Sequence, residues 1–391
     1  FIMNHYDCLL EKIQEIKLFL AHNSVQCEQN RMVSRENIEA LQSIKLHKAF
    51  IPKKYGGYEL SLPEFSNCIT ELAKACGSTA WVYGLFSANN HTLTYFSEQL
   101  QDEIWKDGTN SFTACTIAPM STVEEVNGGI IINGEMGWSS GIDYADRVII
   151  GCNRINSAGQ KVYSLAVVPK GDYEIIDDWY AMGLKGTGSK TIRMTNVFIP
   201  EYRIEAIMGL MGGKSSGACL YPESMIYSAP FRPYFSSVFA AVGLGVAEAS
   251  LTAFKDKTRN RIRAYTGAHV GLSTPTLMRL AESTHQITAA RLLLETSLQE
   301  IKESSARKEY PNRTTWINWR TNQAYALKMC KEAVVRLMDS AGASAMLENC
   351  ILQRLLRDIT IITAHAYTDY DICAQILGRE LMGLEPDPAI Y

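Results

Sequence analysis

From Asp7 to about Trp105, apolar residues return at helical spacing, as at Leu9, Leu10, Ile13, Ile16 and Leu18, with breaks at Pro52, Gly56-Gly57 and Pro63. That rhythm places an apolar stripe along one side of each segment, and the first part of the chain is predicted to be helical. Between Ser111 and about Pro200 the period drops to two. The segments Gly129–Asn133, Arg147–Gly151, Val162–Val168 and Thr191–Thr195 are bounded by Gly, Asn, Asp and Pro, so a compact all-β domain is expected there. A Gly/Ser/Pro-rich stretch from Met208 to Pro233 is predicted to be a long connection. Helical periodicity resumes from Ser236, through Ala240, Gly243, Val246 and Ala247, and continues over Met278–Ile301, Trp316–Gly342 and Met346–Leu384. These four long amphipathic stretches predict a helix bundle. The resulting order is an N-terminal helical domain (1–110), a middle β domain (111–205), a connecting loop (206–235) and a C-terminal four-helix bundle (236–391), an α+β chain.

Composition narrows the class. With 391 residues, 47% of them apolar and 20% charged, the chain has ample material for a large core. A net charge of -3 lacks the basic footprint that phosphate binding leaves, so nucleic acid is not expected as a partner. The ten cysteines are scattered with no CxxC pair, which predicts reduced, mostly buried thiols in a cytoplasmic protein, with no metal site. No apolar run approaches the roughly 18 residues of a membrane-spanning helix, so no membrane association is expected.

Four motifs carry a resemblance. Pro52-Lys-Lys-Tyr-Gly-Gly57, Cys76-Gly-Ser-Thr-Ala-Trp81, Asn133-Gly-Glu-Met-Gly-Trp-Ser-Ser-Gly141 and Trp179-Tyr-Ala-Met-Gly-Leu-Lys-Gly-Thr-Gly-Ser189, with Val197-Phe-Ile-Pro200 after the last, stand in this order along the chain. Together they resemble the acyl-CoA dehydrogenase superfamily over roughly Phe50 to Asp387. The Gly-Thr-Gly-Ser form is similar to the branch of oxygenase components of two-component flavin-dependent monooxygenases. That resemblance implies an acyl-CoA dehydrogenase-like fold with a β-barrel-like middle domain. It also implies reduced flavin (FMNH2 or FADH2) from a separate NAD(P)H:flavin reductase, dioxygen, a C4a-hydroperoxyflavin, a small aromatic or amine substrate, and a homotetramer. No Gly-x-Gly-x-x-Gly follows a strand, which agrees with a reductase on another chain.

The same resemblance marks the candidate site. Between Arg357-Asp358 and Gly378-Arg379, the dehydrogenases' catalytic Tyr-Glu-Gly-Thr falls on His365-Ala-Tyr-Thr368, so their carboxylate position is Ala366. Removing a weakly acidic α-proton needs a positioned base, and alanine is none. His365 takes the place where the resembling hydroxylases set a histidine beside the flavin, as base or hydrogen-bond donor. Ser140 corresponds to the hydroxyl that serves flavin N5, and His91, a helical distance after Trp81, is a third catalytic candidate. Trp138, Ser139, Ser140, Thr187 and Ser189 are expected to line the ring and its edge. Arg263 resembles the arginine that reaches flavin phosphate, and Gly342 the glycine that admits the cofactor tail from a neighbouring subunit; Ala343 replaces the family's second glycine and leaves FAD against FMN open. Two other readings stand beside this one: a dehydrogenase-type flavoenzyme with its base on another helix, and a non-catalytic scaffold of the same fold.

Overall fold

The computed structural model describes residues 4–387 apart from 213, 214, 218 and 228, so part of the expected connection lies outside the described residues. Five helices open the chain: α1 (His5–Asn30), α2 (Arg35–Ile44), α3 (Leu62–Ala73), α4 (Gly77–Leu93) and α5 (Glu98–Trp105). Their starts follow from capping side chains. Asn4 accepts the Asp7 N–H, Ser34 accepts the Asn37 N–H, and Ser61 with Glu64 forms a capping box ahead of α3. The predicted break at Pro63 is instead the first turn of α3, where a missing N–H costs nothing. All 17 residues of α4 are buried, so this helix runs through the middle of the molecule and carries Trp81 there.

Eight strands follow: β1 (Thr113–Thr116), β2 (Thr122–Val126), β3 (Gly129–Ser139), β4 (Arg147–Ile155), β5 (Lys161–Pro169), β6 (Glu174–Ile176), β7 (Lys190–Pro200) and β8 (Ile204–Ala206). They form two four-stranded sheets, in the orders β1-β4-β5-β8 and β2-β3-β7-β6, which make up the expected middle β domain. β1 pairs parallel with β4, and the other pairings are antiparallel. β7 alternates on either side of a one-residue slip at Thr195–Asn196, with Ile192 and Met194 before it and Val197 and Ile199 after it turned inward.

The C-terminal part contains α6 (Ile207–Gly212), α7 (Phe231–Thr258), α8 (Thr274–Ala306), α9 (Arg313–Ala341), α10 (Ile351–Thr363) and α11 (Tyr370–Leu381). Three expectations need correction. The bundle begins at Phe231, five residues before Ser236, because Pro233 sits in the first turn of α7 and does not interrupt its ladder. The stretch Met346–Leu384 is two helices, broken at 364–369, where Asp369 caps α11 by accepting the Asp371 and Ile372 N–H groups. Finally, α7 is long and apolar enough by length and composition to cross a bilayer, with 72% of its apolar window buried inside the molecule. It packs against α3, α4, α9 and α10, so its apolar character serves the core. One continuous apolar cluster runs from Leu9 through the sheets to Ile362 and joins the three parts.

Candidate functional site

The end of β3 sets the site's geometry. Its pairing with β7 slips between Met136 and Ser139, a bulge that throws Trp138 off the ladder at a positive φ of 68°. Trp138 is 70% exposed and meets Trp179 edge-on at 5.5 Å, whereas Ser139 and Ser140 turn inward and are buried. Gly141 follows at φ 73°, and a Cβ there would come within 2.6 Å of Phe86 and Val82, so only glycine lets the chain pass over α4.

The Gly-rich turn, a short 3-10 segment at Lys185–Thr187, lies across this bend, with the Gly141 N–H donating to the Thr187 carbonyl at 2.9 Å. Its hydroxyls complete a chain. Trp81 Nε1 donates to Ser140 Oγ at 3.1 Å, Ser140 and Ser189 share a hydrogen bond at 2.7 Å, and Ser189 and Thr187 share another at 2.7 Å. Thr187 Oγ1 ends the chain on the Leu184 carbonyl at 2.9 Å. Ser140, Thr187 and Ser189, 49 residues apart at the extremes, are thereby brought together. Ser139 Oγ is buried and has no hydrogen-bond partner among the described residues.

His365 reaches the same place from the break between α10 and α11. Its ring lies 4.1 Å from that of Phe239 and 6.0 Å from that of Trp81, whose indole is the donor to Ser140. Removal from water pushes its pKa down to about 4, so the ring is neutral near pH 7. Nδ1 accepts the Tyr367 N–H at 3.2 Å, which leaves the proton on Nε2 as a donor with no partner among the described residues. The ring is half-buried, keeping one side open in otherwise dense surroundings. Ala366 beside it is exposed. Among the described residues, the only buried carboxylate is that of Asp358.

The other candidates lie apart from this chain of hydroxyls. His91 occupies a closed aromatic cage, stacked on Tyr234 at 3.8 Å, and its Nε2–H donates to the Ile226 carbonyl at 2.7 Å. Arg263 lies in the exposed loop after α7, paired through its backbone with Ala268, and not on a helix face. Gly342 ends α9 at φ 79°, tight against the Arg261 guanidinium, which donates to the Ala341 carbonyl at 2.6 Å.

Two residues of the site went unassigned in the sequence reading. Trp81 was legible as part of a motif, yet nothing local showed that its indole would face Ser140. Asp358 accepts the Leu184 N–H at 2.7 Å, and its neighbour Arg357 donates to the Met182 carbonyl at 2.7 Å, so α10 grips the start of the Gly-rich turn. Burial pushes Asp358 up to about 6, against the pull of that N–H and of Arg354 and Arg357. A signal existed, because Asp358 interrupts the apolar stripe Leu355, Ile359, Ile362 on the buried side of α10.

Comparison with known proteins identifies the family. The family described as acyl-CoA dehydrogenase, N-terminal domain, matches residues 16–108, and the C-terminal domain of acyl-CoA dehydrogenase matches residues 237–370. The chain is 56% identical over 382 residues to the oxygenase component of p-hydroxyphenylacetate 3-hydroxylase from Acinetobacter baumannii, covering 98% of this chain and 90% of that one. It is 28% identical over 376 residues to the oxygenase component of FADH(2)-dependent resorcinol hydroxylase from a Rhizobium species, covering 92% and 90%. The crystal structure of 3-HSA hydroxylase from Rhodococcus sp. RHA1 superposes with a TM-score of 0.91 at 26% identity, covering 98% of both chains.

Proposed function

The chain belongs to the acyl-CoA dehydrogenase superfamily and, within it, to the oxygenase components of two-component flavin-dependent monooxygenases; from that membership we propose that it hydroxylates a small phenolic substrate, with p-hydroxyphenylacetate the first to test. The observation that carries the reading is the meeting of a neutral, donor-bearing His365 with the Trp81–Ser140–Ser189–Thr187 chain. A flavin ring fits these residues. Trp138 offers an exposed aromatic wall at the lip, and the unpartnered His365 Nε2–H is a donor that a ring nitrogen or carbonyl would satisfy.

When bound, reduced flavin supplies the activation of dioxygen and the transfer of one oxygen atom to the substrate. The chain's own task is to hold groups still and dry. Ser140, fixed by Trp81 on one side and Ser189 on the other, presents its oxygen in one orientation and so has little reorganisation left to undergo. Phe239 and Trp81 keep water from one side of His365, and the Tyr367 N–H holds its Nε2 proton outward as a donor. With Nδ1 committed to the Tyr367 N–H, the neutral ring serves as a hydrogen-bond donor, and the lowered pKa keeps it in that form near pH 7. His91, with Nε2–H consumed by Ile226, serves to hold the 219–227 segment over α4.

We also assign a cytoplasmic homotetramer fed by a separate reductase, supported by the exposed apolar Leu272, Leu277, Met278 and Leu292 at the start of α8 and along it. Light scattering on the purified protein checks the tetramer. The function is tested by anaerobic titration with reduced FMN and reduced FAD, then mixing with oxygen and p-hydroxyphenylacetate. Hydroxylated product with little peroxide is the expected result. Absence of reduced-flavin binding would favour a scaffold, and bleaching of bound oxidised flavin by an acyl-CoA thioester would return the case to a dehydrogenase.

A further inference from the structure

Behind the Gly-rich turn, two cysteines from separate helices meet. Cys27 lies in the last turn of α1 and Cys76 caps the N-terminus of α4, and both are buried. Their sulfurs share one small polar network, joined through Asn37 and Thr79. A ring of donors fixes the pair: the Ser34 N–H points at Cys27 Sγ at 3.2 Å, Asn37 Nδ2 at the same sulfur at 3.8 Å, and Thr79 Oγ1 at Cys76 Sγ at 3.1 Å. Asn37 Nδ2 also donates to Thr79 Oγ1 at 3.0 Å and ties the two halves of the ring together. A crevice lined by Ser24, Glu28, Cys76, Ser78 and Lys185 leads to this place from the surface.

We propose that Cys27 and Cys76 form a peroxide-reactive dithiol, closing to a disulfide when the enzyme releases hydrogen peroxide in uncoupled turnover. The Asn37–Thr79 bridge holds both side chains in one small network, from which side-chain rotation brings the sulfurs toward the roughly 2.05 Å of a disulfide. Interaction with Cys76 and the Ser34 N–H favour the Cys27 thiolate and hold its pKa below the ordinary thiol range, while interaction with Cys27 and burial push Cys76 up. The Cys27 thiolate attacks one oxygen of hydrogen peroxide, forming an S–O bond and expelling hydroxide. Cys76 sulfur then displaces the hydroxyl from Cys27, forming the S–S bond. The two thiol protons leave in the two water molecules, so two thiols and one peroxide give one disulfide and two waters. The link would join α1 to α4 directly beneath Gly186, whose Cα packs on Cys27 and Ser78. The source of the peroxide rests on the proposed function; the reactivity of the pair does not.

The experiment treats the flavin-free protein with hydrogen peroxide, alkylates the remaining thiols and maps peptides without reduction. A Cys27–Cys76 crosslink, formed before the other buried cysteines react and removed by dithiothreitol, is expected. Recovery of both cysteines in alkylated form after the exposed Cys219 has been oxidised overturns the dithiol. A second arm supplies reduced flavin and oxygen without substrate: the same crosslink, prevented by catalase, is expected. A crosslink with added peroxide but none in this arm overturns the enzyme's own peroxide as the oxidant. A Cys76→Ser variant should instead accumulate a sulfenic acid on Cys27 that dimedone captures.

Discussion

His91 and His365 are both taken out of water, and burial pushes their pKa values down to about 3 and about 4, yet they are prepared for different work. His91 is enclosed by Phe50, Tyr95, Tyr227 and Tyr234, and its one N–H is committed to the Ile226 carbonyl. In His365 the backbone takes the acceptor nitrogen, and the donor on Nε2 has no partner among the described residues, on a ring set edge-on to Trp81. A depressed pKa alone therefore does not mark a functional histidine. Which nitrogen is left over separates the structural ring from the one proposed to act in the reaction.

The largest expected effect is on acid stability. A buried neutral histidine has a folded pKa below its unfolded value near 6.5, so its contribution is complete above pH 6.5 and is lost as pH falls toward 4. By pH 4 this amounts to about 3 kcal/mol for His91, at roughly 1.4 kcal/mol per pKa unit, and less for His365, whose open side admits water. His91→Phe should flatten the acid limb of a denaturant-midpoint against pH profile more than His365→Phe does. An equal effect of both would erase the distinction. Asp358 works with the opposite sign. Its folded value of about 6 lies above the unfolded one, so stability falls as pH rises from 4 to 6, and Asp358→Asn should remove that slope in the same titration.

Next comes turnover. His365→Ala should lower hydroxylated product by roughly 100-fold at unchanged fold, with the lost flux appearing as peroxide, a range usual for a positioned acid–base group. His91→Phe, measured alongside, should keep its ratio of product to peroxide, and loss of coupling in both would merge the two roles. The smallest effect is expected at Ser140. Ser140→Ala leaves the buried Trp81 N–H unsatisfied and should cost about 1 to 3 kcal/mol in thermal unfolding, with weaker reduced-flavin binding. A melting temperature and a titration equal to those of the parent would remove Ser140 from the site.

Much of this was readable along the chain. The shift in apolar period near Ser111 marked the first helix-to-strand change, because burial on one face leaves a local imprint at period 3.6 or 2. The same logic failed where an element is buried on every side: α4 and α7 show little amphipathic contrast, and α7 passed unnoticed as a helix apolar enough to span a bilayer. Short edge strands such as β6 and β8 hold three residues each, too few to display a period. The break at 364–369 was hidden because Ala364-His-Ala-Tyr-Thr-Asp369 holds neither Gly nor Pro to mark it, while Thr368 Oγ1 bonds back to the Ile362 carbonyl.

In the site, the sequence by itself determined which hydroxyls and histidines were available, the loss of a carboxylate at Ala366, and the glycines that let β3 and the 185–189 turn cross closely. Only the tertiary structure decided which of them meet. Trp81 and Ser140 are 59 residues apart, and Leu184 and Asp358 are 174 apart. Such pairs leave no periodic trace, because a hydrogen bond between distant segments depends on how three separately folded layers dock and not on the order of residues within any of them.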